Sequence, residues 1–128
     1  MTEATDVRMD ESVARYVEFW NATPDAQRRN GAETFAADVV YVAPAGVLTG
    51  VDALADFTEQ FTSNVGSYTF RTSRAPDLHH DRARVSWELV VGDEPFAEGT
   101  DVLIVAGDGR IASVTTFIDR APGHVPAH

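Results

Sequence analysis

The chain has no cysteine and no lysine; all ten of its basic residues are arginine. Without a thiol there is no thiolate nucleophile, no cysteine-held metal and no disulfide. Without a side-chain amine there is no Schiff-base chemistry and no lysine-anchored pyridoxal cofactor. Long apolar runs are also missing: nothing approaches the roughly 20 residues of a membrane span. The opening Met1-Thr2-Glu3-Ala4-Thr5-Asp6 has neither the basic start nor the apolar stretch of a secretory signal, so a cytoplasmic protein is expected. Positive charge is scarce, and the formal net charge of -10 is spread along the chain. That excess opposes phosphate backbones and anionic lipid, so neither nucleic acid nor membrane is an expected partner, whereas a small neutral or apolar molecule is not repelled. The chemistry left is that of carboxylate, imidazole, phenol and hydroxyl groups, with no cofactor expected.

With 128 residues, 44% hydrophobic and 23% charged, the composition is that of one ordinary globular domain over residues 1–128. Loose tails are expected at about residues 1–8 and 120–128, the latter holding Pro122, Gly123 and Pro126. Val13, Tyr16, Val17 and Trp20 keep i, i+3, i+4, i+7 spacing and predict an amphipathic helix over residues 11–20. Thr23-Pro24-Asp25 supplies an N-cap, a proline at the first helical position and an acid in the first turn of a second helix running towards Ala37. Its centre, Gln27-Arg28-Arg29-Asn30-Gly31, is polar and weakened by glycine. Val39-Val40-Tyr41-Val42 reads as a short strand, and Gly50-Val51-Asp52 opens a third helix with Leu54, Phe57 and Phe61 on one face.

After Asn64-Val65-Gly66 the period changes to two. Turn residues at Gly92-Asp93-Glu94-Pro95 and Gly107-Asp108-Gly109 join three antiparallel strands at about residues 82–91, 96–106 and 110–118. Helices first and strands afterwards predict an α+β domain, with three helices in the N-terminal half packed on one face of a curling, mainly antiparallel sheet. Such a cone has an open mouth, where a ligand pocket is expected. Residues 102–105 are apolar on both strand faces, which predicts a covered outer face and hence a homodimer packed sheet to sheet.

Asp101 stands at the head of that apolar strand, in Glu98-Gly99-Thr100-Asp101-Val102-Leu103. An ionised, unpaired carboxylate there would cost several kcal/mol, so it must be hydrogen-bonded, protonated or lining a cavity. Tyr16 on the helical stripe is its candidate partner, and the pair are the candidate catalytic residues. Tyr41, Trp87, Trp20, Phe57, His79 and Thr116 are the candidate ligand contacts; for the tyrosine and the tryptophans, plain core packing is the alternative. His79 and His80 would point to opposite faces of a strand, and His124 and His128 are separated by Pro126, so no metal site is expected. In Arg84-Val85-Ser86-Trp87-Glu88, burial puts Trp87 inward and Arg84 and Glu88 on the other face in cross-strand charge pairs. A one-residue slip would instead turn Glu88 inward as a second carboxylate. Asn21-Ala22-Thr23 matches a glycosylation sequon that has no meaning in a cytoplasmic chain.

Several segments, in order, resemble the NTF2-like superfamily, and within it the SnoaL-like and ketosteroid-isomerase-like proteins. They are Ala14-Arg15-Tyr16-Val17 with Trp20-Asn21; Phe35-Ala36-Ala37-Asp38-Val39-Val40-Tyr41; Pro44-Ala45-Gly46; Gly50-Val51-Asp52-Ala53-Leu54; Val85-Ser86-Trp87; and Gly99-Thr100-Asp101-Val102 onward to Phe117-Ile118-Asp119. The resemblance implies an NTF2-like cone and a dimer. It matches Tyr16 and Asp101 to the tyrosine and protonated aspartate that bind enolate oxygen in ketosteroid isomerase, a standard case of pKa tuning. The general-base position of that enzyme is Ala43 here, which leaves the steroid route without its base. Limonene-epoxide hydrolases are matched at Tyr41 but not at Ala43, and no Arg-x-Asp precedes the hairpin. SnoaL-like polyketide cyclases offer a template in which one aspartate serves as acid and base. The resemblance therefore implies a cofactor-independent isomerase or cyclase acting on a small apolar carbonyl compound, with a non-catalytic small-molecule-binding or dimeric interaction domain as the alternative.

Overall fold

A computed structural model describes residues 2–121, with side chains from Met9 onward. Helix α1 spans Thr2–Trp20, so it begins well before the apolar stripe, where a loose tail is expected from sequence. Helix α2, Pro24–Thr34, starts as its residues dictate: Thr23 is the N-cap, and its Oγ1 accepts from Ala26 N at 3.2 Å. It ends three residues short of Ala37. Phe35 takes extended geometry and sinks completely into the core, its ring 4.8 Å from that of Phe19. Core packing thus overrides the helix preference of Ala36-Ala37 and begins strand β1, Phe35–Ala43, earlier than the Val39 start predicted. Gly31 marks a close helix crossing, since a Cβ there would lie 2.4 Å from Val51 Cγ1 on α3, Val51–Asn64.

The remaining strands are β2, Gly46–Thr49; β3, Tyr68–Thr72; β4, Asp77–His79; β5, Arg82–Val91; β6, Glu94–Val105; and β7, Ile111–Arg120. They form one seven-stranded sheet in the order β2-β1-β7-β6-β5-β3, with β4 also on β5. The β5-β6-β7 meander is antiparallel as its turns predict, whereas β1 joins β7 in parallel, a pairing that no local signal announces. Register shifts after Phe35, Leu89, Glu98 and Ile104 bend the strands, as bulges do, and the sheet stays open at its β2 and β3 edges.

Val85, Leu103, Ile111 and Val114 form the buried floor of the concave face. Met9, Val13, Tyr16, Phe19 and Trp20 of α1 and Leu54 and Ala55 of α3 close over it. Polar clamps fix α1 to the sheet. Ser12 Oγ donates to Gly109 O at 2.7 Å, and Tyr68 donates its hydroxyl to Trp20 O. Asn21 Nδ2 donates to Phe70 O at 2.7 Å, while its Oδ1 accepts from Phe70 N at 2.8 Å. The sequon asparagine is thus a two-way backbone clamp on β3.

The register settles which side chain of β5 faces inward. Trp87 is 6% exposed, whereas Glu88 faces outward and accepts from Arg71 Nε on β3 at 3.0 Å. Arg84 pairs with Asp77 across β4 at 2.6 Å. His79 ends β4 and His80 enters the following turn with φ 54°; both are exposed. His124 and His128 lie outside the described residues.

Candidate functional site

The concave face and the helices enclose a cavity of about 370 Å³. Its wall is largely aromatic and aliphatic: Trp20 from α1, Phe57 and Phe61 from α3, Tyr68 and Phe70 from β3, Trp87 and Leu89 from β5, Phe96 and Ala97 from β6, and Ile118 from β7. Asp101 is the one carboxylate among the described residues of the wall.

The sheet register assembles its surroundings. Asp101 on β6 lies opposite Thr116 on β7 and Val85 on β5, and Trp87 lies opposite Gly99. Oδ2 accepts from the Tyr16 hydroxyl at 2.5 Å; Oδ1 accepts from Trp87 Nε1 at 2.8 Å and from the Thr116 hydroxyl. Three donors on a carboxylate with about four acceptor positions leave one position, on Oδ2, uncommitted. Gly99 makes this arrangement possible. A Cβ on it would lie 2.2 Å from Trp87 Cζ2 and 2.5 Å from the Phe117 carbonyl oxygen, so only a bare backbone lets the indole lie across β6 and reach Asp101.

Asp101 is 1% exposed, and burial raises its pKa above the usual carboxylate range. The hydrogen bonds from Thr116, Tyr16 and Trp87 oppose that rise without cancelling it. Burial, and then the neighbouring Asp101 charge, push the Tyr16 phenol well above its ordinary value, so it remains a donor. Tyr41 is shifted upward for the same two reasons in the same order, while its contact with Thr116 acts the other way.

Of the residues singled out from sequence, Tyr16, Asp101, Trp87 and Thr116 meet in one hydrogen-bonded cluster. Trp20, Tyr41 and Phe57 join Trp87 and Asp101 in the cavity wall, Phe57 being 45% exposed. Tyr16 is fully buried and is not in the wall: its hydroxyl is spent on Asp101 from behind. Thr116 likewise touches Asp101 without facing the cavity. His79 does not belong to the site. It sits exposed on β4, with its Nδ1 3.4 Å from that of His80, because β4 pairs outside the sheet path that curls round the cavity. Ala43, at the end of β1, is also outside the wall. Sequence reasoning missed Phe61, Tyr68, Phe70, Phe96 and Ile118 as wall residues. The i, i+4 step from Phe57 to Phe61 was the available signal for the first; the others depend on how strongly the strands curl. Among the described residues no cluster of His, Asp or Glu is placed to hold a metal ion, and no helix is long and apolar enough to cross a membrane.

Residues 13–114 match the SnoaL-like domain, and the chain belongs to that family. Among solved structures, a SnoaL-like family protein from Agrobacterium tumefaciens that carries the provisional name of an isomerase is 28% identical. The match covers 89% of this chain and 99% of that one, with a TM-score of 0.80. A Sinorhizobium meliloti protein provisionally named a polyketide cyclase is 21% identical over 86% of this chain and 98% of its own, TM-score 0.67. An NTF2-like protein of unknown function from Cytophaga hutchinsonii is 10% identical over 87% and 89%, TM-score 0.65. The last two likenesses show the fold alone, an NTF2-like cone of three helices on a curved mixed sheet. No curated protein matches the chain in sequence.

Proposed function

We propose that the cavity receives a small, largely apolar carbonyl compound and that Asp101 moves its proton, as in a cofactor-independent isomerase or cyclase. The observation that carries this reading is Asp101 as the one carboxylate among the described residues of an apolar wall, with its pKa raised by burial and one oxygen position uncommitted. A raised pKa brings an acid/base group nearer the pH at which both of its forms are useful. As base, Asp101 takes a proton from the carbon beside the carbonyl, and the C–H electron pair passes into an enolate. An isomerase returns that proton to a different carbon. A cyclase lets the enolate carbon bond to a second carbonyl carbon, and Asp101 gives the proton to the alkoxide so formed. Either sequence is proton-neutral and needs no cofactor. Tyr16, Thr116 and Trp87 hold the carboxylate in place throughout.

The test is deuterium uptake at the α-carbon of 2-tetralone in D2O, followed by NMR. The protein is expected to accelerate exchange above the buffer rate, and Asp101→Asn to remove about 10²-fold or more of that acceleration. Exchange at the buffer rate in a protein that binds the ketone would overturn the reading. It would favour a binding domain without chemistry, for which Ala43 at the usual base position and the three donors anchoring Asp101 already speak.

We further propose that two copies pack sheet to sheet. The outer face carries Val42 and Phe117, 38% and 55% exposed, beside half-buried Val102 and Ile104. The residues between them on that face, Ser113 and Thr115, are uncharged, and a second copy would cover the stripe they form.

A further inference from the structure

We propose that the hydroxyl of Tyr41, not that of Tyr16, donates to the carbonyl oxygen of the bound compound, and that Thr116 positions it. This assignment rests on the reading of the cavity as a site for a carbonyl compound. It follows from where each polar hydrogen around the cavity already goes. Tyr16 has no exposed surface and donates to Asp101 Oδ2. Trp87 Nε1 and Thr116 donate to Asp101 Oδ1. Tyr68 donates to the carbonyl of Trp20, and Thr58 donates to that of Leu54 at 3.2 Å. Trp20 Nε1 is sealed beneath the surface beside the Tyr16 hydroxyl and offers a ligand nothing to touch. Tyr41 stands in the wall, and its hydroxyl meets that of Thr116, whose own hydrogen is given to Asp101; the Tyr41 hydrogen therefore rests on Thr116 Oγ1, a neutral acceptor that it can exchange for the oxygen of a bound carbonyl.

Strand register explains the placement. Tyr41 on β1 lies opposite Val114 on β7; Thr116 is the next residue of β7 on that face and lies directly opposite Asp101 on β6. Three neighbouring strands thus present Tyr41, Thr116 and Asp101 in a diagonal row on the concave side, stepped by two residues between β1 and β7, with Thr116 beneath the cavity wall. Enolisation needs both ends of such a row at once, a carboxylate to receive the α-proton and a donor for the oxygen on which negative charge appears. A hydrogen bond aimed at that oxygen strengthens as the charge develops. Burial and the Asp101 charge keep Tyr41 protonated and therefore a donor. Thr116 acts as a positioning residue: fixed by Asp101, its oxygen accepts from the phenol and so keeps Tyr41 on the carboxylate's side until a carbonyl oxygen accepts that hydrogen instead.

The probe is 2-acetylnaphthalene labelled with ¹³C at its carbonyl, read by ¹³C NMR, with affinity from tryptophan fluorescence and folding checked by circular dichroism. In the wild-type protein the bound carbonyl is expected to shift downfield from its value in an apolar solvent. Tyr41→Phe should lose that shift and bind about fivefold more weakly, while Tyr16→Phe keeps the shift. Thr116→Val should reduce it and Thr116→Ser restore it, a rescue that ties the effect to the hydroxyl and not to the bulk of the side chain. A shift that survives Tyr41→Phe, or that vanishes in Tyr16→Phe instead, overturns the assignment while leaving the carbonyl site intact. Failure of the wild-type protein to bind the ketone overturns the reading of the cavity and this assignment with it. If Tyr41→Phe does not fold, equal shifts in Thr116→Val and Thr116→Ser overturn it.

Discussion

Asp101 is held by two opposed effects, the cost of burying its charge and three hydrogen bonds that favour that charge, and burial prevails. The sign of its contribution to stability follows. In the folded protein Asp101 keeps its proton to a higher pH than in the unfolded chain. The stability it adds is therefore fully present below the ordinary aspartate value of about 4, and is lost as pH rises through the higher folded value. Asp77 and Asp108 are shifted downward by Arg84 and by Arg110, so their contributions run the other way, being lost as pH falls. Comparison with Asp101→Asn isolates the first effect: the stability of wild type relative to the variant should decline between about pH 4 and neutrality in denaturant titrations. A difference that stays flat over that range would show that burial does not raise this pKa. Asp101→Ala should be far more harmful, costing about 3 kcal/mol or more, because three buried donors lose their acceptor together.

At this scale the sequence was informative about Asp101 because a carboxylate in an apolar strand has few ways to survive. Tyr16 could be placed beside it, but not behind it. Which side of a carboxylate a helical phenol approaches depends on how α1 lies across the sheet, and periodicity within one helix carries no information about that.

Among the elements, β6 shows how a residue with no side chain governs the site. Gly99→Ala should force the Trp87 indole off β6, costing about 1–3 kcal/mol as overpacking does and breaking the bond from Trp87 to Asp101. Thermal denaturation and the tryptophan emission maximum measure both effects; an unchanged emission spectrum would mean that the indole does not need the bare backbone. Gly31→Ala is the contrasting case. The gain in helix propensity, about 1 kcal/mol, offsets part of the cost of displacing Val51, so its net effect should be smaller. The meander of β5, β6 and β7 was legible because turn residues and alternation are local. The boundary between α2 and β1 was not, since Phe35 is drawn into extended geometry by Phe19 and Tyr16, contacts distant in sequence. Asn21 was likewise opaque, because its partner is the backbone of a strand far along the chain.

For the whole molecule, the outer sheet face is the feature with a solution consequence. Analytical ultracentrifugation should give twice the chain mass of 13.9 kDa, and Phe117→Arg with Val102→Arg should return the protein to 13.9 kDa without unfolding it. A monomeric wild type would remove the proposed interface while leaving the cavity unaffected. The parallel seam between β1 and β7 bears on a different matter, the order in which the molecule forms. Tyr41 meets Val114 more than half the chain later, so loop closure opposes that seam more than it opposes the hairpins. The helices and the β5-β6 hairpin can organise while the chain emerges, but β1 has no neighbour on its β7 side until the last strand arrives. Thr116 comes with that strand, placing Tyr41 on one side of itself and Asp101 on the other. The polar row beside the cavity is therefore complete only once β7 has paired with both β1 and β6, and without β7 the aromatic wall lacks one of its sides.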